Sequence, residues 1–422
     1  MQNWVKRAVP AAVLLGGLLL SSTALAETEL KLMLFGGPVD VAIWEKLSAE
    51  FEASHPGITV TVEVNDWDSY WEKLRVLIAG GTAPDVFAMD ASNYPDWQAR
   101  GALLQLQPMI DAEPELLADV YPVSLEAYQT PDGYYGLPRD FQTIALFYNK
   151  DMFDAAGVAY PTDQWSWDDL RAAARQLTRD SNGDGSIDQW GLFAELIDME
   201  AFWSSVLWSH GADIVDAANG KTLIGSPEAM TAWNFIAGMV LDDKSIPTAE
   251  QLRQFGADGF QAGVTAMGLS GHWSVPDYAP AGFRWDVAPM PKGPAGRVTS
   301  VNSAGFTIAS TTKHPAEAWE LLKFAIGPEA QQQLAGIGFA IPIQKSIAEG
   351  PAYLEQQSAP IDHKLFVEAL DYARVKPVFR GYEEWASAVG DALQMAWSGA
   401  LPIADAIQQA VDDGDAVLAN AR

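Results

Sequence analysis

Between residues 29 and 89 the hydrophobic period of the chain alternates between two and about 3.6, and this alternation constrains the fold more than any other feature. Glu29-Leu30-Lys31-Leu32-Met33-Leu34-Phe35 reads as a strand stopped by Gly36-Gly37-Pro38. Val41, Trp44, Leu47 and Phe51 follow at helical spacing until His55-Pro56-Gly57. Ile58 to Val64 is a β-branched strand, Tyr70, Trp71, Leu74 and Leu77 form a second helical stripe that closes at Gly80-Gly81, and Asp85-Val86-Phe87-Ala88-Met89 is a third strand. Strand, helix, strand, helix, strand predicts a parallel sheet covered by helices.

The same alternation is weaker downstream. Helices are expected from Trp167 to Leu177, after the breaker Pro161, and from Ala316 to Ile326, with Pro315 near the first turn. Tyr382, Trp385, Val389, Leu393 and Trp397 make one apolar stripe, and Ile403 to Leu418 reads as a terminal helix. No solenoid period and no low-complexity linker interrupts the 422 residues, so the expectation is two compact α/β lobes without a flexible tether. The 16 Trp need explaining. Trp44, Trp71, Trp319, Trp385 and Trp397 lie on helical stripes and are expected in the core, whereas Trp67, Trp203 and Trp208 stay undecided.

Lys6 and Arg7, an apolar run from Ala8 to Leu20, and Ala24-Leu25-Ala26 together read as a secretory leader over residues 1–26. The run is shorter than the roughly 20 residues of a membrane span. No Cys follows it, so a lipid anchor of the lipoprotein kind is not expected, and the mature chain is placed in the periplasm. The formal net charge of -29 leaves little basic surface for phosphate contacts, which argues against nucleic acid as a partner. With 0 Cys, disulfides, thiolate chemistry and Cys-based zinc sites are excluded.

Catalytic signatures are weak. The 5 His show no H-x-x-x-H spacing, and no phosphate-cradling glycine motif occurs. In Gly268-Leu269-Ser270-Gly271-His272, His272 stands where a nucleophile elbow requires its second Gly. The acid pairs Asp168-Asp169, Glu383-Glu384 and Asp412-Asp413 diverge on helices by about 100° and read as solvated. Asp180, Asn182, Asp184, Ser186 and Asp188 place oxygen ligands on alternate residues, as in the first half of a calcium loop, but Gly191 stands where the bidentate acid should be. Two readings stay open there: a structural calcium ion, or a tight Asx/Gly turn capping the preceding helix. No other cofactor is required.

Recognition residues are clearer. Gly80-Gly81-Thr82-Ala83-Pro84-Asp85-Val86 leads into the third strand. Gly136-Leu137-Pro138-Arg139-Asp140-Phe141-Gln142 runs into Ile144-Ala145-Leu146-Phe147-Tyr148-Asn149-Lys150. Ala266-Met267-Gly268-Leu269-Ser270-Gly271-His272-Trp273 and Asn302-Ser303-Ala304-Gly305-Phe306-Thr307-Ile308 follow. In this order, behind a leader, they resemble the extracellular solute-binding proteins of bacterial ABC sugar importers, the family that includes maltose-binding protein. The resemblance covers nearly all of the mature chain. It implies a two-lobed periplasmic-binding-protein fold, each lobe a sheet flanked by helices, with residues 27–139 plus 296–342 in one lobe and 140–295 plus 343–422 in the other. It also implies a monomer without enzymatic activity, which captures a di- or oligosaccharide in the cleft and delivers it to permease transmembrane subunits coupled to an ATPase.

In open parallel sheets, ligands sit beyond the carboxyl ends of the strands. Those ends are Gly36 and Gly37, where the backbone can approach a ligand, Trp67 after the second strand, and Asp90 and Asn93 after the third. Asp90 and Asn93 can hydrogen-bond sugar hydroxyls. The resemblance adds Asp140 and Gln142 at the hinge, Gly305 in the Asn302–Ile308 segment, and Trp273 as the ring that stacks on the sugar. Tyr382 would supply a second apolar face. Gly36-Gly37-Pro38 and Met89-Asp90 depart from the maltose-binding pattern, so ligand identity does not carry over. The rival readings are a secreted carbohydrate-active hydrolase and an adhesion protein.

Overall fold

The computed structural model describes residues 28–256, 258–338, 340–355 and 362–421; the leader expected over 1–26 lies outside them. The opening alternation folds as β1 (Thr28–Phe35), α1 (Pro38–Ser54), β2 (Ile58–Asn65), α2 (Trp67–Ala79) and β3 (Val86–Asp90). β1 pairs in parallel with β2, from Thr28 opposite Ile58 to Phe35 opposite Asn65, and in parallel with β3 at Leu32–Val86. Each βα turn therefore opens at the same edge of the sheet, which is where a ligand meets it. α2 begins earlier than its apolar stripe, because the Asp66 carboxylate accepts the Ser69 N–H at 3.2 Å and caps the helix from Trp67 onward.

Downstream come α3 (Tyr94–Ala99), β4 (Gly136–Asn149), α4 (Trp167–Leu177), β5 (Met267–Gly271), β6 (Trp285–Ala288), β7 (Thr299–Ile308), α5 (Pro315–Ile326), β8 (Ile341–Pro342), β9 (Ala373–Val375), α6 (Tyr382–Trp397) and α7 (Ile403–Asn420). The main sheet runs β6-β4-β7-β3-β1-β2, with β5 and β8 also on β4 and β9 on β7. β4 is buried over all 14 residues, as its apolar run from Ile144 to Tyr148 requires of a strand covered on both faces. Its first half, Gly136 to Thr143, pairs with β7, and its second half, Ile144 to Asn149, pairs with β5 and β6. β7 divides similarly, with Ala304–Ile308 against β3 and Thr299–Val301 against β9. Two strands thus tie one half of the molecule to the other.

Two apolar cores flank this junction. One holds Leu32, Trp44, Phe87 and Phe306 and extends across β4 to Phe260, Tyr278 and Trp285; the other holds Trp203, Trp233, Trp385 and Leu393. The α6 stripe is buried as its spacing predicts, and Trp385, with 0% exposure, donates its indole N–H to Thr222 Oγ1 at 2.9 Å. Burying one such side chain stabilises the fold by about 1.5–3 kcal/mol or more. Trp44, Trp71, Trp319 and Trp397 are buried too, and the undecided Trp203 and Trp208 join them. Trp67 does not: it stays 47% exposed beside Phe35, with ring centroids 4.8 Å apart. Among the described residues no helix is long and apolar enough to cross a membrane.

Candidate binding site

At the β1 exit the two glycines act differently. The Asp40 carboxyl occupies the room at Gly36, where a Cβ would stand 2.2 Å from its Cγ, and Asp40 accepts the Gly37 N–H at 2.8 Å. Around Gly37 nothing comes within 4 Å of a Cβ position, so that backbone is open. Burial raises the Asp40 carboxyl above the ordinary range, although the Gly37 N–H and the Arg139 guanidinium pull it down. At the β3 exit, Asp90 Oδ1 accepts the Ser92 N–H at 2.9 Å and also the Ser92 hydroxyl. The Asn93 N–H closes the turn on the Asp90 carbonyl at 3.1 Å and leads into α3.

The crossing strands supply the floor. On β4, Arg139 donates to Asp140 at 2.5 Å, both nearly inaccessible, and its guanidinium stands 5.6 Å from the Phe35 ring centre. Gln142 is the register partner of Asn302 on β7. Asn302 Nδ2 donates to Asp90 Oδ2 at 2.7 Å and to Glu200 Oε2 at 3.0 Å, which fixes its carboxamide. The acceptor atoms of the pair, Asn302 Oδ1 and Gln142 Oε1, are buried without a hydrogen-bond partner. Lys376, one residue past β9, is 2.8 Å from Glu200 and 3.8 Å from Asp90, and its ammonium stands 5.2 Å from the Tyr382 ring centre. Burial works against the Lys376 charge, but Asp90 and Glu200 outweigh it and hold the amine well above its ordinary value. Glu200, in contrast, is pushed by burial up to about 7 despite Lys376.

Glu200 owes its position to the π-helical turn Met199–Trp203, capped by Asp198, which accepts the Ala201 N–H at 2.8 Å. Such turns are rare and frequent at functional sites. Upstream, Glu195 is exposed yet crowded by protein atoms and by Asp198, Asp258 and Glu200, and its carboxyl rises to about 7. Asp258 accepts the Tyr278 hydroxyl at 2.5 Å. The loop before Tyr278 carries Trp273, 37% exposed, with its ring laid over Gly271, where a Cβ would come within 2.0 Å of it. Trp273, Pro276 and Asp277 face Gly37, Pro38, Val39 and Asp40 across a crevice of about 60 Å³. Arg75 on α2 pairs with Glu383 on α6 at 2.9 Å, and Asp96 on α3 accepts the Gly381 N–H at 3.0 Å, so the rims also touch.

Gly37 and Trp273 therefore share one crevice, while Asp90 and Tyr382 share the Lys376 network; Asp140 and Gln142 sit on the floor strand. Gly305 is turned into the sheet, where a Cβ would stand 2.4 Å from Leu137 O and 2.7 Å from the Tyr128 ring. The exposed loop at Asp180 folds on its own oxygens: Asp180 accepts the N–H groups of Gly183 and Gly185 at 2.6 and 2.7 Å, Asn182 that of Asp184, Asp184 that of Ser186, and Asp188 that of Ser181. Among the described residues no group of three or more His or acidic side chains is placed to hold a metal ion. Asp40, Arg139, Glu195, Glu200, Asn302 and Lys376 escaped the sequence reading. Arg139 and Asn302 stood inside quoted motifs, whereas Glu195, Glu200 and Lys376 carry no local signal.

The sequence profile of the bacterial extracellular solute-binding proteins matches residues 37–332. The chain belongs to this family. A putative binding protein of Brucella abortus is 26% identical over 384 residues, 89% of each chain. The galactooligosaccharide-binding protein of Bacillus subtilis is 24% identical over 374 residues, 86% of this chain and 84% of its own. The ABC substrate-binding protein of Listeria monocytogenes, solved in complex with cycloalternan, superposes with a TM-score of 0.85 at 25% identity, covering 93% of this chain and 99% of that one.

A solute-binding protein needs an accessible apolar face and polar atoms that fix a ligand's orientation. Trp273 is a partly exposed ring at the crevice, and Gln142 Oε1 and Asn302 Oδ1 on the crossing strands are buried acceptors without a protein partner. Ser270 and His272, the residues that mimic a nucleophile elbow, do not bond each other: the Ser270 hydroxyl is 2.6 Å from that of Ser274, and the His272 ring is 2.9 Å from that of His363.

Proposed function

We propose that this protein is the periplasmic substrate-binding component of an ABC importer, taking up a di- or oligosaccharide between its lobes and delivering it unaltered to the permease, which an ATPase drives. The observation that carries the reading is Trp273, an indole left exposed and braced on Gly271 at the mouth of a crevice whose other wall is Gly37 to Asp40. A sugar ring shows C–H groups on one face and hydroxyls around its rim, so an indole and flanking acceptors suit it. Relatives that bind galactooligosaccharide and cycloalternan support the same class.

Residues 27–139 with 296–342 form one lobe and 140–295 with 343–422 the other, and β4 and β7 are the hinge strands. A sugar touching both lobes gains contacts in the closed state that the open state lacks, and a few kcal/mol of such differential binding shifts the population. The leader directs export, and the protein works as a monomer without cofactor or catalysis. Isothermal titration of the mature chain against an oligosaccharide panel, with mass spectrometry of the recovered sugar, tests this. Saturable binding of an intact sugar is expected; cleavage of the sugar, or binding of none, would overturn the reading.

A further inference from the structure

The turn that carries Trp273 is held at both flanks. β5 runs into the 3-10 turn His272–Ser274, and Trp273 is its middle residue. On one flank the Ser274 hydroxyl lies 2.6 Å from that of Ser270, and on the other His272 Nε2 lies 2.9 Å from His363 Nδ1. His363 stands immediately before the helical turn Lys364–Glu368. That turn is fastened to β4 by the Thr143 hydroxyl, which donates to the Phe366 carbonyl at 2.8 Å. The two imidazoles are 0 and 1% exposed. Tyr353 and Phe366 close a cage around them, with ring centroids 5.2 and 4.7 Å from that of His272. His363 Nε2 and the Tyr353 hydroxyl are buried there without a hydrogen-bond partner among the described residues. Stacking of a sugar on an indole needs none of this, so the buried imidazole pair calls for its own account.

A bond between two imidazoles has one hydrogen, so one ring donates and the other must keep a lone pair. Resting on the reading of Trp273 as the ring that stacks on the sugar, we propose that His363 is a positioning residue: through His272 it holds the turn that presents the indole, and it lets that turn go when the pair takes up a proton. The cage resists the proton. Burial brings His363 down to about 4 and His272 well below its ordinary 6.5, and a charge on His363 lowers His272 further. The groups facing the pair offset this only in part. Asp362 draws a proton toward His363, but its Oδ1 also accepts the Lys364 N–H at 3.1 Å, and the Gly338 backbone favours a charged His272. Lys364 and Glu368 pair with each other at 2.6 Å on the exposed side, and the Tyr353 hydroxyl is held neutral by burial. A charged ring is better solvated in water than in this cage, and its departure breaks the bond to the other. The released pair takes up protons below about pH 6.5 and the held pair only near pH 4, so the hold is complete above about 6.5 and is lost as the pH falls through about 4.

The test is fluorine NMR of the mature protein labelled with fluorotryptophan. The Trp273 signal is the one lost in Trp273→Phe, and Trp233, in the other apolar core, is a control assigned in the same way. The Trp273 signal is expected to shift or broaden between about pH 6.5 and about pH 4, before that of Trp233 moves. His363→Gln, which keeps a donor for His272 but takes up no proton, should shrink that transition. His363→Leu, which has no donor, should show the displaced signal already at about pH 7. Calorimetry with maltotriose and galactotriose connects the turn to binding. For whichever sugar binds, His363→Leu should weaken the affinity about tenfold in the otherwise unchanged protein and leave it unaltered in Trp273→Ala. A Trp273 signal indifferent to pH, one that moves only together with that of Trp233, or an equal loss of affinity in the Trp273→Ala background would overturn the proposal. Binding of neither sugar would count against the sugar-binding reading instead, and the Trp273 signal would still decide the role of His363.

Discussion

Replacing Lys376 by Met tests the network that joins the β3 exit to the π turn. The ammonium sits between Asp90 and Glu200, and the three side chains are only 8 to 12% exposed. Met keeps much of the apolar stem but leaves two buried carboxylates without their cation. Removing one partner from such a buried pair costs about 3–5 kcal/mol. For a chain of this length the unfolding entropy is roughly 0.8 kcal/mol per degree, so the melting temperature should fall by about 4–6 °C. The carboxylates of the variant can escape by taking up protons, so the loss should be larger at about pH 8 than at about pH 5. Differential scanning calorimetry at both pH values measures this, and Lys376→Met combined with Glu200→Gln should recover part of the deficit. A shift below about 1 °C at the higher pH would show that Lys376 does not hold the carboxylates in place.

Other outcomes follow from the same geometry. Trp273→Ala should weaken sugar binding by about 1–3 kcal/mol without lowering the melting temperature much, as read by calorimetry; unchanged affinity would place the sugar elsewhere. Gly271→Ala, which drives a methyl into the indole, should approach that loss although it removes no ligand contact. Glu200 is raised from 4.5 to about 7 in the fold, so its share of stability is present below about pH 4.5 and is lost as the pH rises through about 7. Glu200→Gln should flatten the stability profile across that window, and an unaltered slope would reject the assignment. Because the oxygens of the Asp180 loop already accept backbone N–H groups, exchanging calcium for a chelator should leave the melting curve in place, and a rise of several degrees with calcium would make the loop a metal site.

What could be read from the chain was local. β1 through β3 are legible because the apolar period switches cleanly between two and 3.6, and α6 because Tyr382, Trp385, Val389 and Leu393 fall on one stripe. The run from Gly136 to Asn149 was visible as a motif, but not that its two halves pair with different partners, since pairing with β7 and β5 depends on residues more than 100 positions away. Trp203 and Trp208 were ambiguous because a π turn at Met199–Trp203 runs straight into the short helix Ser204–Ser209, so no single period marks both as core. Of the site, the strand exits were legible because glycines and short polar residues follow β1 and β3. The cation was not: Lys376 sits in an irregular segment, and only the folded chain brings it to Asp90, almost 300 residues earlier.

A crystal structure of the protein with the tightest-binding oligosaccharide tests the central claim most directly. The account predicts a sugar ring lying on the Trp273 indole between the Gly37–Asp40 turn and the Trp273–Asp277 loop, with donors on Asn302 Oδ1 and Gln142 Oε1. A sugar bound outside that crevice, with the indole bare and those two acceptors still unpartnered, would contradict it.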